Sequence, residues 1–168
     1  MGFDIFFVRS RFRDEKVEKK NPFTGEVMSV RPQEPLTDSE LRAVRGVLRG
    51  AGATEPDEFG YCLIEFEDGG DAEVHTSRLE EGCGVTLRSG LSPDCLRFLL
   101  DLLKAAEWVM LPAMEGNPAI VSSPGLASEF AGSFPEVVCG TPEELGAILS
   151  GGYEAWERYR DQIVGEHG

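Results

Sequence analysis

The apolar pattern opens on a dense run. Residues 3–9 put Phe3, Ile5 and Phe7 on one side of an extended chain and Asp4, Phe6 and Val8 on the other. Apolar groups dominate both sides, which predicts an interior strand. Residues 10–36 break the pattern with a mixed-charge run from Arg9 to Lys20, then Asn21-Pro22-Phe23-Thr24-Gly25, Pro32 and Pro35. Within this long connection a short strand is predicted over Glu26–Arg31. Thr37-Asp38-Ser39-Glu40 is a capping box, and Leu41, Val44, Val47 and Leu48 recur at helical spacing behind it. Together they predict a helix to about Arg49, ended by Gly50-Ala51-Gly52.

Period-two alternation returns at Tyr61–Glu67 and Asp71–Thr76, which predicts a hairpin turning at Asp68-Gly69-Gly70. Gly82-Cys83-Gly84 reads as a turn before a short strand at Val85–Arg88. Ser92 then caps a helix with Pro93 in its first position, over about 93–107. Leu96, Leu99, Leu100 and Leu103 line one face of that helix, and Phe98 and Leu102 another. It is apolar nearly all round, so it is expected to be the most buried helix. Short strands follow at Trp108–Leu111, Ala119–Ser122 and Glu136–Cys139, with a brief helix over Leu126–Ala131. Thr141-Pro142-Glu143-Glu144 starts a helix that should stop at Ser150-Gly151-Gly152. A last helix, about 153–164, carries Tyr153, Trp156, Tyr159 and Ile163 on a face expected to dock on the core.

Strands and helices mix without a strict βαβ rhythm. The expectation is an α+β fold: a mixed or mostly antiparallel sheet, packed by a buried central helix, with helices at the C-terminal end. The 168 residues suit one domain over 1–168, with residues 89–92 the one place a subdivision could fall.

Charge changes the picture. The chain carries 30 acidic and 16 basic residues, a net charge of −14. Such a field repels phosphate backbones and anionic lipid, which excludes nucleic acid and membranes as favoured partners and leaves basic proteins. The excess is uneven. Residues 1–31 hold seven basic and five acidic groups, and the rest of the chain nine and 25. The basic residues Arg9, Arg11, Arg13, Lys16, Lys19 and Lys20 are interleaved with Asp14, Glu15 and Glu18, as in a solvated ribbon. No apolar run reaches the ~18–20 residues of a membrane span, and no basic segment precedes the first apolar stretch. Cys62, Cys83, Cys95 and Cys139 form no C-x-x-C pair. Free thiols and a cytoplasmic location are expected.

Chemistry concentrates in residues 55–81, where ten carboxylates face one arginine and one histidine. Cys62, Ile64 and Phe66 share a face with Ala72 and Val74 only if an odd number of residues makes the turn. A three-residue turn at 68–70 puts Tyr61, Leu63, Glu65, Glu67, Asp71, Glu73 and His75 on the outer face, with Glu65 opposite Glu73 and Glu67 opposite Asp71. Like charges so placed repel. Screening by salt, a basic partner, a cation, or basic side chains from elsewhere in the chain would relieve them.

Metal and catalytic patterns are weak. Asp68-Gly69-Gly70-Asp71 lacks the spacing of a calcium loop, and zinc would want more than His75. His75 and Cys83 are the one tempting nucleophile pair, although Glu80 and Glu81 would blunt the thiol. No G-x-S-x-G elbow occurs, and Gly50-Ala51-Gly52-Ala53-Thr54 fits a helix end better than a nucleotide loop. No catalytic residue, metal ligand or cofactor is assigned. The expected function is a non-enzymatic, acidic, cytosolic protein that engages a basic protein partner, as a toxin-neutralising immunity-type inhibitor does. The alternative is a small enzyme using carboxylates or a divalent metal at the same hairpin face, and a homo-oligomeric module is the third reading.

Overall fold

The computed structural model describes residues 2–130 and 133–167, the side chains of 155–157 and 159–167 excepted. In chain order it forms β1 (Phe3–Val8), β2 (Val17–Lys20), β3 (Val27–Val30), α1 (Asp38–Gly50), β4 (Tyr61–Glu65), β5 (Asp71–His75), β6 (Gly82–Leu87), α2 (Pro93–Ala105), β7 (Val109–Pro112), β8 (Ala119–Val121), β9 (Glu136–Val138) and α3 (Pro142–His167). A single 3₁₀ turn, Ser128–Phe130, stands where the brief helix over Leu126–Ala131 was predicted; Ala131 lies outside the described residues. The fold is α+β. Seven strands run in the order β4-β5-β6-β1-β7-β8-β9, antiparallel except for the parallel β8–β9 pair, while β2 and β3 form a separate ribbon.

Strand β1 sits inside the sheet between β6 and β7, where its apolar density belongs. Phe3, Ile5 and Phe7 are buried, but Asp4 is exposed and Phe6 is 50% exposed. The strand is interior to the sheet as predicted, while its outer side is left partly open to water. The main core, from Phe3 to Tyr153, lies on the face where the three helices pack. Among the described residues the opposite face is covered beside β7, β8 and the Val8 end of β1, by a small cluster built on Val109, Ala119, Val121 and Ala127.

Helix α1 begins as its capping box dictates. The Thr37 hydroxyl accepts from the Glu40 N–H at 3.2 Å, and the Glu40 carboxylate accepts from the Thr37 N–H at 3.0 Å. Glu40 has a second role. Arg9, just past β1 and only 4% exposed, donates to Glu40 at 2.9 Å, to the Ala106 carbonyl at 2.8 Å and to the Glu34 carbonyl at 2.9 Å. A guanidinium is tolerated in such a place only when paired and hydrogen-bonded on several sides.

Helix α2 starts at Ser92 and Pro93 as expected, and Ser92 accepts from the Cys95 N–H. It contributes six buried side chains and packs between α1 and α3. Arg97, Asp101 and Lys104 stay exposed, so it keeps a polar edge and is not enclosed all round. Its end falls at Ala105, and Glu107 takes a left-handed φ of 51° before the chain enters β7.

The predicted break at Gly151-Gly152 does not occur: α3 is one helix from Pro142 to His167. A Cβ on Gly152 would meet the Met114 Cβ at 2.6 Å, so this glycine serves close packing instead of termination. Tyr153 docks as expected, buried and edge-on to Phe3 at 6.0 Å. The Trp156, Tyr159 and Ile163 side chains lie outside the described residues. Strand β6 starts earlier than predicted, because Gly82-Cys83-Gly84 pairs with Phe6–Val8 of β1. A Cβ on Gly82 would come within 2.7 Å of the Phe7 carbonyl oxygen, so glycine permits this approach.

Burial opposes ionisation of Glu40, but the Thr37 backbone hydrogen bond, with the Arg9 charge beside it, outweighs burial and holds the carboxyl below its ordinary value of 4.5. A lowered folded-state pKa adds stability that is present above the unfolded pKa and is lost as pH falls through the folded one. Arg9→Ala should lower unfolding free energy by about 3 kcal/mol in urea titrations at neutral pH. Glu40→Gln should flatten the loss of stability on acidification below about pH 4.5.

A candidate partner-binding surface

The hairpin turns over three residues, as parity requires, but one position early. The pairs are Tyr61↔His75, Leu63↔Glu73 and Glu65↔Asp71. The turn closes with Phe66 N–H on the Gly70 carbonyl and Gly69 N–H on the Phe66 carbonyl, with Gly69 at φ 98°. That is the glycine-bulge geometry of a three-residue loop, which needs positive φ at its last residue. Gly70 is fixed by a different contact, since a Cβ there would lie 2.6 Å from the Ser92 hydroxyl. The Asp68 carboxylate accepts from the Asp94 N–H at 2.9 Å, which seats the turn on the start of α2 and holds the Asp68 carboxyl below the usual range. The expected pairing of Glu65 with Glu73 and Glu67 with Asp71 is thus replaced. Glu65 faces Asp71, and Glu67 lies in the turn.

The inner and outer faces fall as the pattern predicts. Cys62, Ile64, Ala72 and Val74 are buried, while Tyr61, Leu63, Glu65 and His75 are exposed and Asp71 and Glu73 half-buried. The chain relieves part of its own crowding. Arg88 reaches Glu73 at 3.0 Å, and the Ser89 hydroxyl donates to Asp71. The Tyr61 and His75 rings stack at 4.6 Å, and His75 Nε2 lies 3.2 Å from both the Phe59 carbonyl and the Ser77 hydroxyl. Register continues this row across the sheet through Gly84 and Phe6 to Leu111. Gly84, without a side chain, leaves a notch between His75 and Phe6. The free edge of β4 is closed by the loop before it: Thr54 exchanges hydrogen bonds with Leu63, and Asp57 with Tyr61. A partner therefore meets side chains here and not an open backbone edge.

A broad groove lies next to the hairpin turn. It has a volume of about 780 Å³ and runs between α1 and α2, lined by Ala43, Gly46, Val47 and Gly50 on one side and Asp94, Arg97, Phe98 and Asp101 on the other, with Glu65, Phe66 and Glu67 at its end. Its floor is apolar and its rim carries four carboxylates. The groove's one arginine, Arg97, is paired with Asp94 at 3.2 Å. A Cβ on Gly46 or Gly50 would meet nothing within 4 Å, so the chain's own packing does not call for glycine there. Reading the sequence for strands brought Glu65 and Glu67 forward and missed the groove. The signal was present in the small residues Ala43, Gly46 and Gly50, spaced along one side of α1.

The nucleophile pair is not assembled. Cys83 lies within a strand, 7% exposed on the helix side of the sheet, while His75 is on the outer face. Burial pushes the Cys83 thiol up to about 12, a stronger cause than the neighbouring glutamates expected to blunt it. Burial raises Cys95 to about 12 as well, with Asp68 and Asp71 adding to it. Among the described residues no three His, Cys, Asp or Glu side chains are grouped as a metal ion would require. No helix among them is long and apolar enough to cross a membrane.

All four cysteines are free and buried. In the native protein at pH 8 a thiol reagent such as DTNB should label less than one equivalent in minutes, and four after guanidinium unfolding. Gly46→Ala should raise unfolding free energy by about 0.5–1 kcal/mol, measured in urea, because it adds helix propensity without a clash. Searches with this chain return no matching family model, no matching curated protein and no matching solved structure.

Proposed function

We propose that this chain is a non-enzymatic binding protein whose acidic hairpin end engages a basic protein partner. The observation that carries the reading is the α1–α2 groove, where Val47, Phe66 and Phe98 form an apolar floor beneath Glu65, Glu67, Asp94 and Asp101. An interface of this make-up combines apolar contact with charge that steers a cationic partner. The adjoining outer sheet face extends it. Tyr61 and Leu63 are about two-fifths exposed, and Glu73 and Asp71, already satisfied by Arg88 and Ser89, frame them. Tyr61 offers an incoming arginine an aromatic ring to stack on.

A partner held this way loses access to its own cationic surface. Occlusion of a basic active-site cleft is the mode of an immunity-type inhibitor, and the net charge of −14 favours fast encounter with such a target. Four free thiols suit a reducing compartment such as the cytoplasm.

Calorimetric titration with a synthetic amphipathic peptide of lysine, arginine and phenylalanine tests the reading. The wild type should bind it in low salt, and Glu65→Lys with Glu67→Lys should weaken binding at least about tenfold. Glu154→Lys on α3, outside the groove lining, should leave it unchanged. Equal binding by all three proteins, or equal binding of a peptide with glutamate in place of its basic residues, would remove the proposal.

A further inference from the structure

Exposed large apolar side chains gather in two main places among the described residues. Phe6, Phe59, Tyr61 and Leu63 lie on or beside the outer face of the main sheet; Val17, Phe23, Val27 and Met28 lie on the β2–β3 ribbon. That ribbon is an arm. Its base is fastened to the body by the Phe12–Phe130 ring contact at 5.7 Å and the Arg31–Glu129 pair at 3.5 Å. Beyond the base it covers no core residue, and every position of β2 is exposed. A two-stranded ribbon with neither face covered is marginal in water.

The tip of the arm is nonetheless closed by its own hydrogen bonds. Asn21 Oδ1 accepts from the N–H groups of Phe23 and Thr24 at 2.8 and 3.3 Å. Asn21 N–H donates to the Glu26 carbonyl at 2.8 Å, and Gly25 supplies the required positive φ of 74°. This turn holds Phe23 out at 95% exposure. Pre-fixing an aromatic side chain lowers the ordering cost of inserting it into a partner. Lys16, Lys19 and Lys20 stand on the same arm, and they are three of the four lysines in the chain. The described ion pairs all use arginine, so these ammonium groups enter none of them.

Arm and groove are complementary in both respects. One offers an exposed phenylalanine with lysines behind it on β2; the other offers an apolar floor with a glycine wall and a carboxylate rim. We propose that a second copy of this chain is an occupant of the groove, with the Phe23 tip of one copy seated between α1 and α2 of the other. Phe23 lies on Gly46 and Gly50 and against Phe66 and Phe98, and Lys19 and Lys20 meet Glu65, Glu67 and Asp101. The inference rests on the groove being a site for basic partners and adds the identity of one of them. Reciprocal seating closes a two-fold dimer, and one-way seating builds a longer chain.

Sedimentation velocity on the full chain, from about 1 to about 500 μM, decides it. Wild type should show species at multiples of the 18.4 kDa chain mass. Raising salt from about 50 to about 500 mM should dissociate them. Phe23→Ser should weaken association at least about tenfold, and Gly46→Leu, which fills the groove with a good helix former, should do the same. Lys19→Glu with Lys20→Glu should abolish it, and mixing that variant with Glu65→Lys, Glu67→Lys should restore a heteromer. Circular dichroism confirms that each variant folds; should Gly46→Leu fail to fold, Phe23→Ser on its solvent-exposed tip still decides. A monomer at every concentration, or association indifferent to Phe23→Ser, overturns self-docking. The peptide titration above judges the groove separately.

Discussion

One buried cation fixes the relation between sheet and helices. Arg9 leaves the end of β1 and is bonded at once to the α1 capping residue Glu40, to the Glu34 carbonyl in the approach to α1 and to the Ala106 carbonyl at the end of α2. Removing a guanidinium from water costs several kcal/mol, so the fold must supply these acceptors together or not at all. Glu40 serves Arg9 and the capping box together: Oε2 accepts from Arg9 at 2.9 Å, and Oε1 accepts from the Thr37 N–H at 3.0 Å and from Arg9 at 3.3 Å. The start of α1 and the end of α2 are thereby pinned to a common point. At the other end of the pair, Ala43, Gly46 and Gly50 leave the helices apart, and the groove opens there.

The sheet's asymmetry follows from the same arrangement. With three helices on one face, the other face is covered among the described residues by the 3₁₀ segment and its neighbours, which reach β7, β8 and the Val8 end of β1. Over β4, β5, β6 and the rest of β1 the outer side chains meet water, which explains why carboxylates, an exposed phenylalanine and a glycine notch coexist there. A covered face would have made each of them costly.

Much of this was legible from pattern because the signals were local. The capping box at Thr37, the Ser92-Pro93 helix start and the odd turn parity each rest on a few neighbouring residues. Signals that depend on tertiary partners misled. Gly152 reads as a helix stop until Met114 is placed against it, and Gly82-Cys83-Gly84 reads as a turn until β1 arrives beside it. Strand β2 has no apolar alternation, since Val17-Glu18-Lys19-Lys20 takes its form from pairing with β3 alone. In the candidate site, the outer-face residues were found by parity. Arg88 as partner to Glu73, and Asp94 and Asp101 as partners to the hairpin end, come from segments far along the chain, and no spacing rule connects them.

The charge separation seen in the sequence gains a physical sense from the arm. A body whose residues after 31 hold 25 acidic and only nine basic groups repels its own copies, and at low salt that repulsion reaches about 10 Å and beyond. Any self-contact must therefore be made by the part of the molecule that does not share the excess. The arm is that part, it projects from the body on a fastened base, and it places a hydrogen-bonded aromatic tip ahead of the repelling surfaces. The lysines just behind the tip then meet carboxylates at short range, where attraction between unlike groups exceeds the screened repulsion of the bodies behind them. The interleaved Glu18 and Glu26 keep the arm close to neutral overall. Contact strength is thus shared between Phe23 in its seat and the lysine–carboxylate pairs, and the pairs also select the groove over the rest of the surface.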